Sequence, residues 1–164
     1  MKTLIIIRHT KSDWSAEHTD FERPITTARQ GDASLIATHL AKTTGIPQLV
    51  IASAAIRARQ TAELFCKIWQ YPIASIEVEK SIYMCTVDEF SAKIQTIDDH
   101  YSCVAVVAHN PTITDFVNQY ADTLIMNMPT SSAVCIELNI NHWENLNESN
   151  KGKVTAFLQP RDLL

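Results

Sequence analysis

Glycine is scarce in this chain, with three residues in 164, and none precedes Gly31. A nucleotide-binding α/β domain wraps its phosphates in a Gly-rich loop directly after the first strand. Here the first strand-like run is followed instead by Arg8-His9-Thr10-Lys11-Ser12, which disfavours that class. The four cysteines, Cys66, Cys85, Cys103 and Cys135, are widely spaced and form no CxxC, so they make no zinc or redox motif. Cys103 and Cys135 fall in apolar runs, where a free thiol packs as a small hydrophobe, and a reducing cytoplasm suits such usage. No apolar run approaches the roughly 20 residues that span a bilayer. The N-terminus, with Lys2 and no small-residue cleavage site, does not read as a secretion signal. Positive charge is not in excess either: 14 Lys and Arg against 18 Asp and Glu give a net charge of −4. That argues against broad binding to nucleic acid, though a single phosphate needs only a local cluster of cations. No HExxH or other clustered ligand set suggests a metal. No internal repeat, low-complexity segment or linker is evident.

What remains is an ordinary globular balance, 46% hydrophobic and 20% charged, read as one domain over 1–164. Strand-like and helix-like patterns alternate. Strands are expected at 2–7, 48–52 and 102–108, with a weaker edge strand at 74–78. Helices are expected at 25–43, 55–69, 87–97 and 112–120. A late strand pair, 134–140 and 154–158, is joined by an Asn-rich loop at 141–152. Residues 13–23 are polar and mixed, a loop. The alternation implies an α/β fold, a three-layer α/β/α sandwich with a mainly parallel sheet flanked by helices.

The chemistry concentrates at strand ends. Leu4-Ile5-Ile6-Ile7 ends abruptly in Arg8-His9. The second strand leads through Ser53 to Arg57, just inside a helix start, where a cation opposes the helix dipole and a bound anion would explain it. The strand at 102–108 ends in His109-Asn110-Pro111, with Pro at a helix start. Carboxyl ends of parallel strands share one edge of a sheet, where ligands bind. Two arginines and two histidines gathered there would make a phosphate site.

These segments resemble the histidine phosphatase superfamily, most closely its small SixA-type phosphohistidine phosphatases. Arg8-His9-Thr10-Lys11-Ser12-Asp13-Trp14 resembles the opening motif, with Thr10 in place of the usual Gly or Ala. Glu22-Arg23-Pro24-Ile25-Thr26 resembles the Arg-Pro-Leu-Thr segment. Ser53 to Ala62 resembles the second-arginine motif, and Val107-Ala108-His109-Asn110-Pro111 the second-histidine motif. Met128 to Ser132 and Gln159-Pro160-Arg161 also match the small branch. The resemblance implies a phosphoglycerate mutase-like fold and a phosphatase that passes the phosphoryl group through His9. Arg8, Arg57 and His109 would bind the phosphoryl oxygens, and neither metal nor other cofactor would be required. Cations beside His9 would keep its imidazole neutral, and a backbone carbonyl would fix one ring nitrogen while the other attacks.

Secondary positions have two readings each. Ser12 and Lys11 touch substrate, or Lys11 is a solvated loop charge. Asn110 binds phosphate or orders its turn. Thr130 bonds near the site or starts a strand. Trp14 lines the pocket mouth or merely packs. Arg29 stands where relatives usually carry Gly and reads as a tolerant surface helix residue. His18, His39, His100 and His142 share no spacing and read as surface or rim. No acid stands out to protonate a leaving group; Glu79, Asp20 and Glu22 are weak candidates. The expected function is dephosphorylation of phosphohistidine in a protein partner, in the cytoplasm, without nucleic acid or membrane. The alternatives are a phosphomonoesterase for a small metabolite and a non-catalytic phosphate-binding adaptor.

Overall fold

A computed structural model describes residues 1–15 and 17–164. A mixed six-stranded sheet runs in the order β3-β2-β4-β1-β5-β6. Its strands are β1 (Lys2–Arg8), β2 (Leu49–Ser53), β3 (Glu77–Glu79), β4 (Cys103–Ala108), β5 (Ala133–Leu138) and β6 (Lys153–Leu158). Strands β3, β2, β4 and β1 are mutually parallel. Strand β5 is antiparallel to both β1 and β6.

Both faces are covered, which is why β1 and β4 read as unbroken apolar runs. Successive side chains alternate across the sheet. Leu4 and Ile6 therefore join a core with Phe90 and Ile94 of α3 (Val87–Gln95) and Ile113, Phe116 and Val117 of α4 (Thr112–Tyr120). Ile5 and Ile7 face the opposite core, with Ala33, Ile36 and Leu40 of α1 (Gln30–Thr43) and Ala58, Ala62 and Phe65 of α2 (Ile56–Trp69). The result is the expected three-layer sandwich. Among the described residues, no helix is long and apolar enough to cross a membrane.

Element ends depart from the sequence reading for local reasons. Helix α1 starts at Gln30, not at 25, after a 3₁₀ turn at Thr27–Arg29. Ile25 is instead bridged to Ser12 and donates its N–H to Gln60, and Thr26 donates to the Lys11 carbonyl. The helix ends where Gly45, at φ +97°, returns its N–H to the Leu40 carbonyl. At 74–78 the chain first makes a 3₁₀ turn, Ile73–Ser75, so pairing with β2 begins only at Glu77. Helix α3 opens on a capping box between Thr86 and Glu89 and stops at Gln95, where Thr96 tightens back onto Lys93. Strand β5 stops at Leu138 because that residue already pairs with Lys2, the first residue of β1. The Asn-rich loop carries a 3₁₀ turn, Trp143–Asn145, pinned by the fully buried Trp143, which donates to the Tyr101 carbonyl. All four cysteines are free; Cys135 is buried as expected, but Cys103 is only half-buried.

Candidate active site

Strands β2, β4 and β1 are adjacent and parallel, so their carboxyl ends open on one edge. Arg8 is the last residue of β1 and pairs with Ala108, the last of β4; His9 and His109 follow directly. Strand β2 ends at Ser53, and Arg57 is the second residue of α2. All four predicted side chains, Arg8, His9, Arg57 and His109, line one cavity of about 580 Å³. The His9 and His109 ring centres are 5.3 Å apart.

The turn after β1 is fixed from three sides. His9 Nδ1 lies 2.8 Å from the Thr10 carbonyl; a carbonyl only accepts, so Nδ1 carries the proton and Nε2 the lone pair. The Thr10 N–H donates to Thr61 Oγ1, which itself donates to the Arg57 carbonyl. The hydroxyls of Thr10 and Ser131 share a hydrogen bond of 2.8 Å. Ser131, held at φ +63°, donates its N–H to both the Arg8 and His9 carbonyls. β1, α2 and the approach to β5 thus set the imidazole between them.

The remaining members are equally anchored. Arg8 Nη1 donates to the Met128 carbonyl at 2.8 Å. His109 Nε2 lies 2.7 Å from Ser53 Oγ, which also accepts from the Ala55 N–H. Arg57 donates to the Asp20 carbonyl and, at 3.2 Å, to its carboxylate. The cation at a helix start, read from sequence as a call for a bound anion, therefore already has a carboxylate partner in the protein. Four buried side-chain atoms have no partner among the described residues, and three of them belong to residues that line this cavity: Arg8 Nε, Arg57 Nε and His109 Nδ1. Buried polar groups are seldom left this way, and three around one cavity suit an anion with several oxygens.

The secondary candidates separate. Ser12 lines the cavity, but it is buried and its hydroxyl accepts from Arg23 Nη1. Asn110 also lines it, yet its amide nitrogen donates to Asn127 and to the Met128 carbonyl, while its oxygen accepts from Thr114. That ties Asn110 to the loop that holds Arg8 and matches the turn-ordering reading. Lys11, Trp14 and Thr130 reach the rim. Of the proposed acids, Glu22 is exposed and Glu79 is engaged by Lys93; neither lines the cavity. Asp20 does. The Tyr83 hydroxyl first, then Arg23 and Arg57, hold its carboxyl far below the usual carboxylate range, so it stays ionised.

Sequence reasoning missed Arg23, Tyr83 and Ser53 as parts of this site. Arg23 is 5% exposed, stacks its guanidinium 3.7 Å from the Trp14 ring centre and donates to Asp20 at 2.9 Å. The Tyr83 hydroxyl donates to Asp20 at 2.7 Å. Ser53 had a usable signal, since it ends a strand as Arg8 does. Arg23 lay inside a matched motif but was given no role.

Burial, above all, pushes His9 down to about 3, with His109, Arg57 and Arg8 adding to the effect against the Thr10 carbonyl. Burial and then Arg57 push His109 down to about 4. Both imidazoles are therefore neutral at pH 7. An unfolded histidine takes its proton near pH 6.5, well above either native value. The unfolded state thus binds more protons between about pH 6.5 and 4, and stability falls as pH is lowered through that window. The expected slope reaches about 1.4 kcal/mol per pH unit for each histidine. Urea unfolding at pH 7, 6 and 5 measures it; a midpoint that did not move would show that the native imidazoles ionise normally.

The geometry has known counterparts. The protein histidine phosphatase SixA, solved with tungstate, superposes with a TM-score of 0.83 at 25% identity, covering 99% of each chain. A candidate phosphohistidine phosphatase SixA from Agrobacterium tumefaciens gives 0.79 at 22% identity, covering 97% of this chain and 98% of its own. An uncharacterized chloroplastic protein of Arabidopsis thaliana is 25% identical over 152 residues, 87% of this chain and 69% of its own length. Residues 4–81, which carry the Arg8-His9 and Arg57 segments, match the histidine phosphatase superfamily (branch 1). With that match over residues 4–81 and a fold shared with SixA from end to end, the chain is similar to the histidine phosphatase superfamily and SixA-like in fold.

Proposed function

We propose that this phosphatase removes the phosphoryl group from phosphohistidine on a protein, with His9 as nucleophile. The observation that carries the reading is the pairing of His9 Nδ1 with the Thr10 carbonyl, in a cavity where Arg8 Nε, Arg57 Nε and His109 Nδ1 are buried and unpartnered. His9 Nε2 attacks phosphorus, and the substrate P–N bond breaks with its electron pair leaving on the substrate imidazole. Arg8 and Arg57 hold the phosphoryl oxygens, since phosphoryl transfer depends mostly on positioning and charge stabilisation. With the Ser53 hydroxyl donating to Nε2 of His109, Nδ1 carries a proton for a third oxygen. Water then attacks phospho-His9, inorganic phosphate leaves, and Nε2 regains its lone pair.

Two features favour phosphohistidine over an ester. Among the described lining residues the one carboxylate is Asp20, held ionised and unable to donate a proton. An imidazole leaves from phosphorus with far less need of an acid than an alkoxide does. Between α2 and β4 the chain has only β3, α3 and short 3₁₀ turns. That is too little to enclose a small metabolite and leaves the mouth open to a side chain on a folded partner. Turnover should be compared on phosphohistidine protein, phosphoserine and sugar phosphates, in buffer containing a chelator. Phosphohistidine is expected to win by roughly 10²-fold or more in kcat/KM, the scale of one general acid–base contribution. Faster turnover of the esters would transfer the assignment to a phosphomonoesterase. Tungstate binding without turnover of any substrate would make the protein an adaptor.

A further inference from the structure

The catalytic cavity has an annex. A second cavity of about 480 Å³ shares Lys11, Trp14 and Thr130 with it and extends to Arg29, Asp32, Pro160 and Arg161. The chain carries a net charge of −4, yet six of its 14 cations (Arg8, Lys11, Arg23, Arg29, Arg57 and Arg161) line these two contiguous spaces. Only Asp20 and Asp32, of 18 acidic residues, stand among them. Such segregation focuses a positive field on one mouth of an otherwise acidic molecule.

The fold does not account for the annex cations. Arg29 sits at the N-cap of α1 and makes no capping bond with its side chain. A cation there opposes the helix dipole, and N-caps favour short acceptors. Its one ionic partner among the described residues, Asp32, is 3.7 Å away, with the arginine side chain 55% exposed. Arg161 is 3.8 Å from Asp162 and still more exposed. Pairs this open and this long hold their cations weakly, which leaves both guanidinium groups available to another anion. Arg29 is exposed at the start of α1, as the sequence reading had it.

We propose that the annex is a substrate subsite: Lys11, Arg29 and Arg161 bind acidic side chains that flank the phosphohistidine on the partner protein. The inference rests on the protein-phosphohistidine reading above and adds the charge of the partner. Electrostatic complementarity of this kind speeds encounter and selects the partner.

The test uses three probes phosphorylated with phosphoramidate: free histidine, a peptide with Glu and Asp around its single histidine, and the same peptide with Ser in their place. The acidic peptide is expected to exceed the Ser peptide at least tenfold in kcat/KM at low ionic strength. The gap should close as salt rises, because exposed charges are screened. The double variant R29E/R161E should lose or invert the preference while turning over free phosphohistidine within twofold of wild type. Equal use of the two peptides, or an unchanged preference in R29E/R161E, overturns the subsite and leaves the phosphohistidine assignment standing. Failure of wild type on all three probes, with turnover of phosphomonoesters, overturns that assignment and the subsite with it.

Discussion

A His9→Ala protein is expected to lose turnover by roughly 10⁴-fold or more, the scale seen when a nucleophile is removed from a catalytic unit. The expectation follows from geometry. His9 is 7% exposed, yet its Nδ1 is satisfied by the Thr10 carbonyl, so the ring gains only one bond from its surroundings. Burial has removed its solvation and, with the nearby cations, keeps Nε2 unprotonated. A histidine placed only for packing would not need that tautomer beside two arginines. Rapid acid-free quenching of a ³²P-labelled substrate should trap label on the wild-type chain, stable to alkali and lost in acid, and none on His9→Ala. Retention of more than a tenth of wild-type turnover, or of the labelled intermediate, would remove His9 from the reaction. Tungstate binding should persist in the variant, because Arg8, Arg57 and His109 are anchored by Met128, Asp20 and Ser53 rather than by His9.

The parts of this site that could be read from sequence are those that local pattern controls. Ile5 and Ile7 on one face of β1, and Leu4 and Ile6 on the other, need two covering layers, and that fixes both the sandwich and the edge where Arg8 emerges. The same logic places Ser53 and His109. The late strands were legible too, but not their antiparallel direction, which depends on how β5 returns beside β1. Residues 25–29 have helical spacing, yet the backbone bonds of Ile25 and Thr26 go to Gln60 and Lys11. Such long-range partners leave no trace in periodicity.

The less legible half of the site lies in segments without a period. Asp20 and Arg23 belong to a stretch whose pattern reads as polar loop, with Arg23 at the edge of a matched motif that names no role for it, and Tyr83 follows an edge strand of three residues. They meet because Asp20 reaches Tyr83, 63 positions away, at 2.7 Å. Composition predicts a solvated carboxylate at Asp20; convergence of Tyr83, Arg23 and Arg57 makes it a fixed anion. That changes the question of the missing acid. The carboxylate that lines the cavity organises cations and stays ionised, which is what the phosphohistidine proposal needs of it.

Arg57→Ala is expected to lower kcat/KM by about 10²–10³-fold, the usual loss when one preorganised donor to a developing charge is removed. Arg57→Lys should recover only a fraction, since an ammonium cannot hold Asp20 and also present a donor in the fixed plane of a guanidinium. The effect has two sources that can be separated. Arg57 Nε is buried and unpartnered, and so is free for a phosphoryl oxygen; its Nη atoms meanwhile hold Asp20, and through it Tyr83 and Arg23. If contact with the phosphoryl group dominates, tungstate affinity and kcat/KM fall together in Arg57→Ala, while Asp20→Asn keeps most of both. If ordering of the loop dominates, Asp20→Asn reproduces the loss. The unpartnered Nε atoms of Arg8 and Arg57 favour the first outcome. Arg57 also contributes, after burial, to the low values of His9 and His109. Its removal should therefore raise both imidazole pKa values and shift the acid limb of the pH–rate profile toward neutrality. Wild-type tungstate affinity in Arg57→Ala, with an unmoved acid limb, would place Arg57 outside the site.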